Sequence, residues 1–226
     1  MDLLGRTREL HIHAFEELNT FMNGYIQATH SQFQFPIHIH IMPQKKEALL
    51  FENEHLTIHS FPVKHRVPCN GFIFKEKTRL LNLKKEAIEK YHPSIEQIHQ
   101  LKKGEDLVLS NGTVVPNANL TTPPPPARSY AFVTDTVYLE KIVPIIQGVD
   151  LLYHESTFTH DMIDRAKSTM HSTALQAANM ATLAGVKKLL LGHYSVRYED
   201  LNVFLNEASP IFENTLCAYE GLQLEI

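Results

Sequence analysis

The stretch HSTALQAANMATLAGVKKLLLGHYSVRY, residues 171–198, constrains the fold more than any other part of the chain. Leu175, Ala178, Ala181, Leu183 and Ala184 recur near a 3.6-residue period, which predicts an amphipathic helix. Gly185 supplies the left-handed stop such a helix favours. Val186 to Leu191 is an apolar run short enough to be a buried strand. His193 and Arg197 follow directly at that strand's carboxyl end, where open α/β sheets place their ligands. A histidine opening the helix and His-x-x-x-Arg closing the unit suit a site that handles a phosphate near a metal.

Similar units run along the chain. Strands are expected at 10–14, 35–42, 47–52, 55–61, 70–76, 129–134 and 149–153. A helix at 15–29 should turn Phe15, Leu18, Phe21, Met22 and Tyr25 inward. In FPIHIHIM, Ile37, Ile39 and Ile41 alternate with His38 and His40, as in a half-buried strand. The two imidazoles share a face there, as do His11 and His13, and a solvent-facing or cross-strand role is expected of all four. Short helices are expected at 84–91 and 94–102, and LVLSNGTVV (107–115) reads as a hairpin with Asn111-Gly112 in a type I′ turn. TTPPPP (121–126) is a stiff connector. Helices at 137–146 and 199–208 and a closing hairpin near 215–226 complete the reading. Strands alternating with helices mark a layered α/β domain.

With 226 residues the chain can form one ordinary α/β domain or most of one. Its two cysteines, Cys69 and Cys217, have no metal-type spacing, which argues against a disulfide scaffold and suits a reducing, cytoplasmic compartment. No stretch approaches the roughly 20 apolar residues needed to cross a membrane. The net charge of −4 is no general invitation to nucleic acid. The distribution says more: residues 75–103 hold eight Lys/Arg against four Glu, so that segment is +4 within an otherwise acidic chain.

Four further motifs occur in order. These are LLGRTRELHIH (3–13), PVKHRVPCNGFIF (62–74), RSYAFVTDT (128–136) and LLYHESTF (151–158). Together with 171–198 they resemble ribonuclease Z, the tRNA 3′-processing endonuclease family of the metallo-β-lactamase superfamily. The third ends in the position of that family's metal-bridging aspartate, and the fourth resembles its His-Glu-Ala-Thr loop with Ser156 in place of alanine. The family's His-x-His-x-Asp-His is not found. His11-Ile12-His13 continues into Ala14-Phe15 and His38-Ile39-His40 into Ile41-Met42. The expectation is therefore a ribonuclease Z without its opening segment.

The resemblance implies an αββα four-layer sandwich, amino-terminally incomplete, in one domain over 1–226 with an inserted basic arm-like segment at 76–106. It implies two zinc ions per subunit in a complete protein, with His65 on one, His193 on the other and Asp135 bridging them. It makes His171 the group that binds the scissile phosphate and protonates the leaving oxygen, oriented by Glu155, and gives Arg197 to the phosphate. Lys84, Lys85, Lys102 and Lys103 become weaker tRNA-binding candidates, because the arm lacks the family's Gly-Pro-rich stretch. The implied partners are precursor tRNA and a second copy in a homodimer, with no membrane. The missing motif would supply four ligands, so these residues alone give two per zinc, short of the usual three plus water. By themselves they are expected to be inactive. Two alternatives stay open: another metallo-phosphodiesterase of the superfamily, or a non-catalytic tRNA-binding or dimerising remnant.

Overall fold

The computed structural model describes residues 5–226, so Leu3 and Leu4 of the first motif lie outside the described residues. The chain divides into two compact units, one made of residues up to Lys75 together with Arg128–Ile226, the other of Glu76–Ala127.

The first unit is organised by a seven-stranded sheet. Its members are β3 (Ala48–Glu52), β4 (Leu56–Pro62), β5 (Asn70–Glu76), β10 (Ser129–Val133), β11 (Leu151–Glu155), β12 (Leu189–Gly192) and β13 (Thr215–Cys217), in the order β13-β12-β11-β10-β5-β4-β3. The strands from β10 to β13 are parallel, while β5 runs antiparallel to β10 and β3 to β4. β12 is buried at all four positions, which is why it reads as a continuous apolar run rather than an alternating one. Against this parallel half pack α5 (Val143–Ile146), α7 (Ala174–Ala184) and α8 (Asn202–Ala208). Their common core joins Ile142, Ile146, Leu152, Leu189, Leu191 and Phe204 to a small-residue face of α7. That face is Ala174, Ala177, Ala178, Met180, Ala181 and Ala184, and the expected Leu183 points to solvent. Alanines let the helix lie close to the sheet. Apart from this sheet, β1 (Leu10–Ala14) and β2 (Ile37–Ile41) form a parallel pair flanking α1 (Glu16–Thr29).

Four expectations need correction. Helix α1 exists but buries none of its residues, and Phe21 and Tyr25 are exposed. A periodic stripe fixes a face, and within the described residues this one is only partly covered, with Phe15, Leu18 and Met22 half-buried. The helix expected at 137–146 is a 3-10 turn at Glu140–Ile142 followed by the one-turn α5, because Pro144 has no N–H to give and would clash with the carbonyl four residues earlier. The closing hairpin is one strand, β13, laid parallel on β12; among residues 218–226 no strand forms. Asn111 lacks a positive φ, so the turn is not type I′; Gly112 alone is left-handed, and its N–H closes onto Leu109.

The second unit takes in the expected 76–106 segment and continues to Ala127. It holds β6 (Asn82–Leu83), α2 (Lys85–Tyr91), α3 (Ile95–Lys102), β7 (Leu107–Val108), β8 (Val114–Val115), α4 (Asn117–Leu120) and β9 (Thr121–Thr122). Pairing β6 with β9 and β7 with β8 surrounds a small core of Ala87, Leu101, Leu107 and Leu120. Ser94 and Gln97 form a reciprocal cap on α3. No helix among the described residues is long and apolar enough to cross a membrane.

Candidate active site

The candidate residues converge at the carboxyl ends of the parallel strands. His65 lies in the loop after β4, Asp135 just past β10, Glu155 at the end of β11 and His193 just past β12. His171 sits between α6 (Ile163–Thr169) and α7. The rings of His65 and His171 are 4.9 Å apart and those of His171 and His193 5.1 Å, while His193 Nε2 is 3.4 Å from Asp135 Oδ1. Ligand atoms of His65, Asp135 and His171 come close enough together to hold a metal ion, as do those of Glu155, His171 and His193.

The chain is held in unusual backbone to bring this about. Asp135 (φ 50°) and His193 (φ 60°) are both left-handed, as is Met170 (φ 62°) beside His171. Non-glycine residues adopt such angles seldom and at a cost, and they concentrate at functional sites. Gly192 allows the approach of β12 to β11, because a Cβ there would overlap the Tyr153 ring.

Glu155 organises the centre. Its side chain is fully buried and accepts from Thr136 N–H at 2.5 Å, Thr157 Oγ1 at 2.6 Å, Ser172 N–H at 3.0 Å and His171 Nδ1 at 3.1 Å. Burial alone would raise its pKa, but the donors from His171, Thr157, Ser172 and Thr136 outweigh it and hold the carboxyl below its ordinary value. The same contact holds His171 above the ordinary histidine value, against the opposing effect of its own burial.

The hydrogen bonds fix the imidazole tautomers. Met170 O can only accept, so His65 Nδ1 donates to it at 2.9 Å. The ionised Glu155 accepts, so His171 donates through Nδ1. Thr157 spends its one hydroxyl proton on Glu155 and therefore accepts from His193 Nδ1 at 2.8 Å. Each of the three rings commits Nδ1 and leaves Nε2 for the site. This arrangement is typical of metal-binding histidine, whose far nitrogen is fixed by a carbonyl or polar side chain. The donor set of imidazole and carboxylate suits zinc, and its number, two protein ligands per ion if Asp135 bridges, falls short of three.

Not everything anticipated gathers here. The α7 N-terminus offers no free donors to a phosphate. Thr173 N–H is taken by Gln176, Ala174 N–H by Phe158 O, Leu175 N–H by Glu207 and Gln176 N–H by the Thr173 hydroxyl. Arg197 is exposed in the turn after His193, and no ion pair among the described residues engages it. Lys84 donates to the carbonyls of Ala118 and Asn119, and Lys85 pairs weakly with Glu89. Lys102 and Lys103 lie at the end of α3. The sequence reading assigned nothing to Thr136 and Thr157, although both stand in the quoted motifs. It also passed over His154, which is fully buried, its pKa lowered by that burial, and bonded to Glu155 O through Nδ1.

Solved structures share this arrangement of strands and helices. YhfI from Bacillus subtilis, a metallo-β-lactamase fold protein, superposes with a TM-score of 0.60 at 17% identity, over 98% of this chain and 67% of that one. The short form of human tRNase Z gives 0.56 at 19% identity, over 96% and 68%. The chain thus has the metallo-β-lactamase fold. No family model matches it. A curated relative does: ribonuclease Z of Porphyromonas gingivalis (strain ATCC 33277) is 40% identical over 226 residues, all of this chain and 74% of that protein. The chain belongs to the ribonuclease Z family of endoribonucleases.

Proposed function

We propose that this protein is a zinc-dependent endoribonuclease that removes 3′ trailers from precursor tRNA. The observation that carries the reading is that His65, His171 and His193 each commit Nδ1 to a partner and keep Nε2 for a site bordered by Asp135. His65 and His193 would hold one zinc each and Asp135 would bridge them. When bound, the ions supply Lewis acidity toward phosphate oxygens and a lowered pKa for the attacking water. Arg197, exposed and uncommitted, offers a planar cation to a phosphate on the same side of the sheet. His171, kept protonated by Glu155, gives its Nε2 proton to the departing ribose oxygen, leaving a 3′ hydroxyl on the tRNA. Glu155, held by its four donors, would act through His171, orienting it and favouring its charged form.

Two ligands per zinc is a weak hold. The 226 residues by themselves are expected to hold less than stoichiometric zinc at this site and to leave precursor tRNA uncut. The identifying assay therefore uses the protein as its gene encodes it, supplied with zinc and a trailer-bearing tRNA. The expected product is tRNA ending after its discriminator nucleotide. Hydrolysis of a small phosphodiester with no cut in the tRNA would instead assign the site to another metallo-phosphodiesterase. Tight tRNA binding with neither reaction would make it a binding remnant.

A further inference from the structure

A second constellation lies on the β1–β2 ribbon and shares no residue with the site above. The parallel register sets His11 opposite His38 and His13 opposite His40. Alternate residues of a strand share a face, so all four imidazoles project from one side. They stack across the strands: His11 on His38 at 4.9 Å, His11 on His40 at 5.1 Å and His13 on His40 at 4.7 Å, with interplanar angles of 20°, 17° and 18°. Glu9 closes the end of the stack. One carboxylate oxygen is 3.3 Å from His11 Nε2 and the other 3.3 Å from His38 Nε2.

We propose that Glu9, His11 and His38 form a binding site for a borderline divalent cation such as Zn²⁺, clasping β1 to β2. Ligand atoms of the three residues all lie within 4.8 Å of one another. A tetrahedral zinc with bonds of about 2.0–2.1 Å has edges of about 3.3 Å, and each Nε2 lies 3.3 Å from one of the two Glu9 oxygens, Oε1 for His11 and Oε2 for His38. Two imidazoles and a carboxylate are a zinc donor set that leaves a fourth position for water.

The neighbouring ring completes the arrangement. His11 Nδ1 is 2.8 Å from His40 Nε2. A cation on His11 Nε2 leaves Nδ1–H to donate to His40; without one, Nε2–H is free to donate to the Glu9 carboxylate. His40 thus stands to His11 as Met170 O stands to His65, fixing the far nitrogen of a ligand. A two-stranded sheet is marginal on its own in water, and a cation held by both strands fixes their pairing and register.

Zinc binding to the full chain tests this. Equilibrium dialysis against Zn²⁺ at neutral pH, followed by elemental analysis, should give one zinc fewer per chain in His11→Gln/His38→Gln than in the unsubstituted protein. His40→Ala, which removes only the support of His11, should weaken that zinc by about 10–100-fold. On the unsubstituted protein, zinc titration followed by histidine side-chain NMR should shift the His11 and His38 ring signals, a readout that needs no variant to fold. Equal zinc content in the double variant, or unmoved His11 and His38 signals at saturating zinc, would overturn the proposal. Neither result bears on tRNA cleavage, which rests on other residues.

Discussion

Both oxygens of Glu155 lie 3.1 Å from His171 Nδ1, and the carboxylate making that contact is sealed from solvent. The pairing raises the pKa of His171 without spending its second nitrogen, which suits the proposed role of proton donor. In the protein as its gene encodes it, replacing His171 by Ala is predicted to lower turnover by about 10²–10⁴-fold, the usual weight of acid–base catalysis. Zinc content should stay near that of the unsubstituted protein. Turnover and elemental analysis on the same samples check this, and loss of zinc along with activity would make His171 a ligand.

Thr157 couples the two halves of the centre, donating to Glu155 and accepting from His193. Thr157→Val keeps the volume and removes both bonds. Zinc affinity is predicted to fall by about 10–100-fold, the usual effect of losing a group that orients a ligand. A competition titration with a chromophoric chelator measures it.

Away from the site, Asp150 ties the start of β10 to the end of α7's connection. Its carboxylate accepts from Ser129 N–H and Oγ, each at 2.7 Å, and from Lys187 Nζ at 2.6 Å. Partial burial works to raise its pKa, but Lys187 and Ser129 prevail and hold it below 3.8. A lowered folded value means that the stabilisation is complete above the ordinary pKa and disappears as pH falls through the folded one. Asp150→Ala should cost about 1–3 kcal/mol at pH 7, chiefly through Ser129, since exposed Lys187 is screened. Urea unfolding should show the gap closing below about pH 4.

Gly192→Ala is predicted to destabilise the chain by about 1–3 kcal/mol, because the new methyl meets the Tyr153 ring at the end of β12. Since His193 follows directly, zinc affinity should fall in parallel. Thermal unfolding with and without zinc separates the two effects.

In the second unit, Lys102→Glu/Lys103→Glu should weaken tRNA binding and flatten its dependence on salt, because fewer counterions would be released. Lys84 is a poorer choice for such a test than charge alone suggests, since its ammonium already bonds to Ala118 and Asn119 carbonyls. Filter binding across a salt series gives both slope and affinity.

The strands were legible because period and length speak for them: β12 as an unbroken apolar run, β2 as alternation. His65, Asp135, Glu155, His171 and His193 stood out through motifs in a familiar order, not through any local pattern of their own. What stayed hidden depends on partners far away in sequence. Nothing in the residues around Met170 announces that its carbonyl will orient His65, 105 positions earlier. The helix-start signal at Ser172-Thr173 was real, but it could not show that Gln176, Phe158, Glu207 and Thr173 would take every donor. The Phe21–Tyr25 stripe of α1 promised a buried face where the described structure puts none. Two separate His-x-His pairs pointed to a solvent-facing or cross-strand role, but not to a parallel pairing that stacks them beside Glu9.

Phosphodiester chemistry is proposed to take place where Asp135 meets His193. Cleavage of trailer-bearing tRNA by the protein as its gene encodes it, before and after chelation and in Asp135→Ala, tests this most directly. Chelation should abolish cleavage, added zinc should restore it, and Asp135→Ala should stay inactive with zinc present. Cleavage that survives chelation, or an Asp135→Ala protein cutting at the unsubstituted rate, would contradict it.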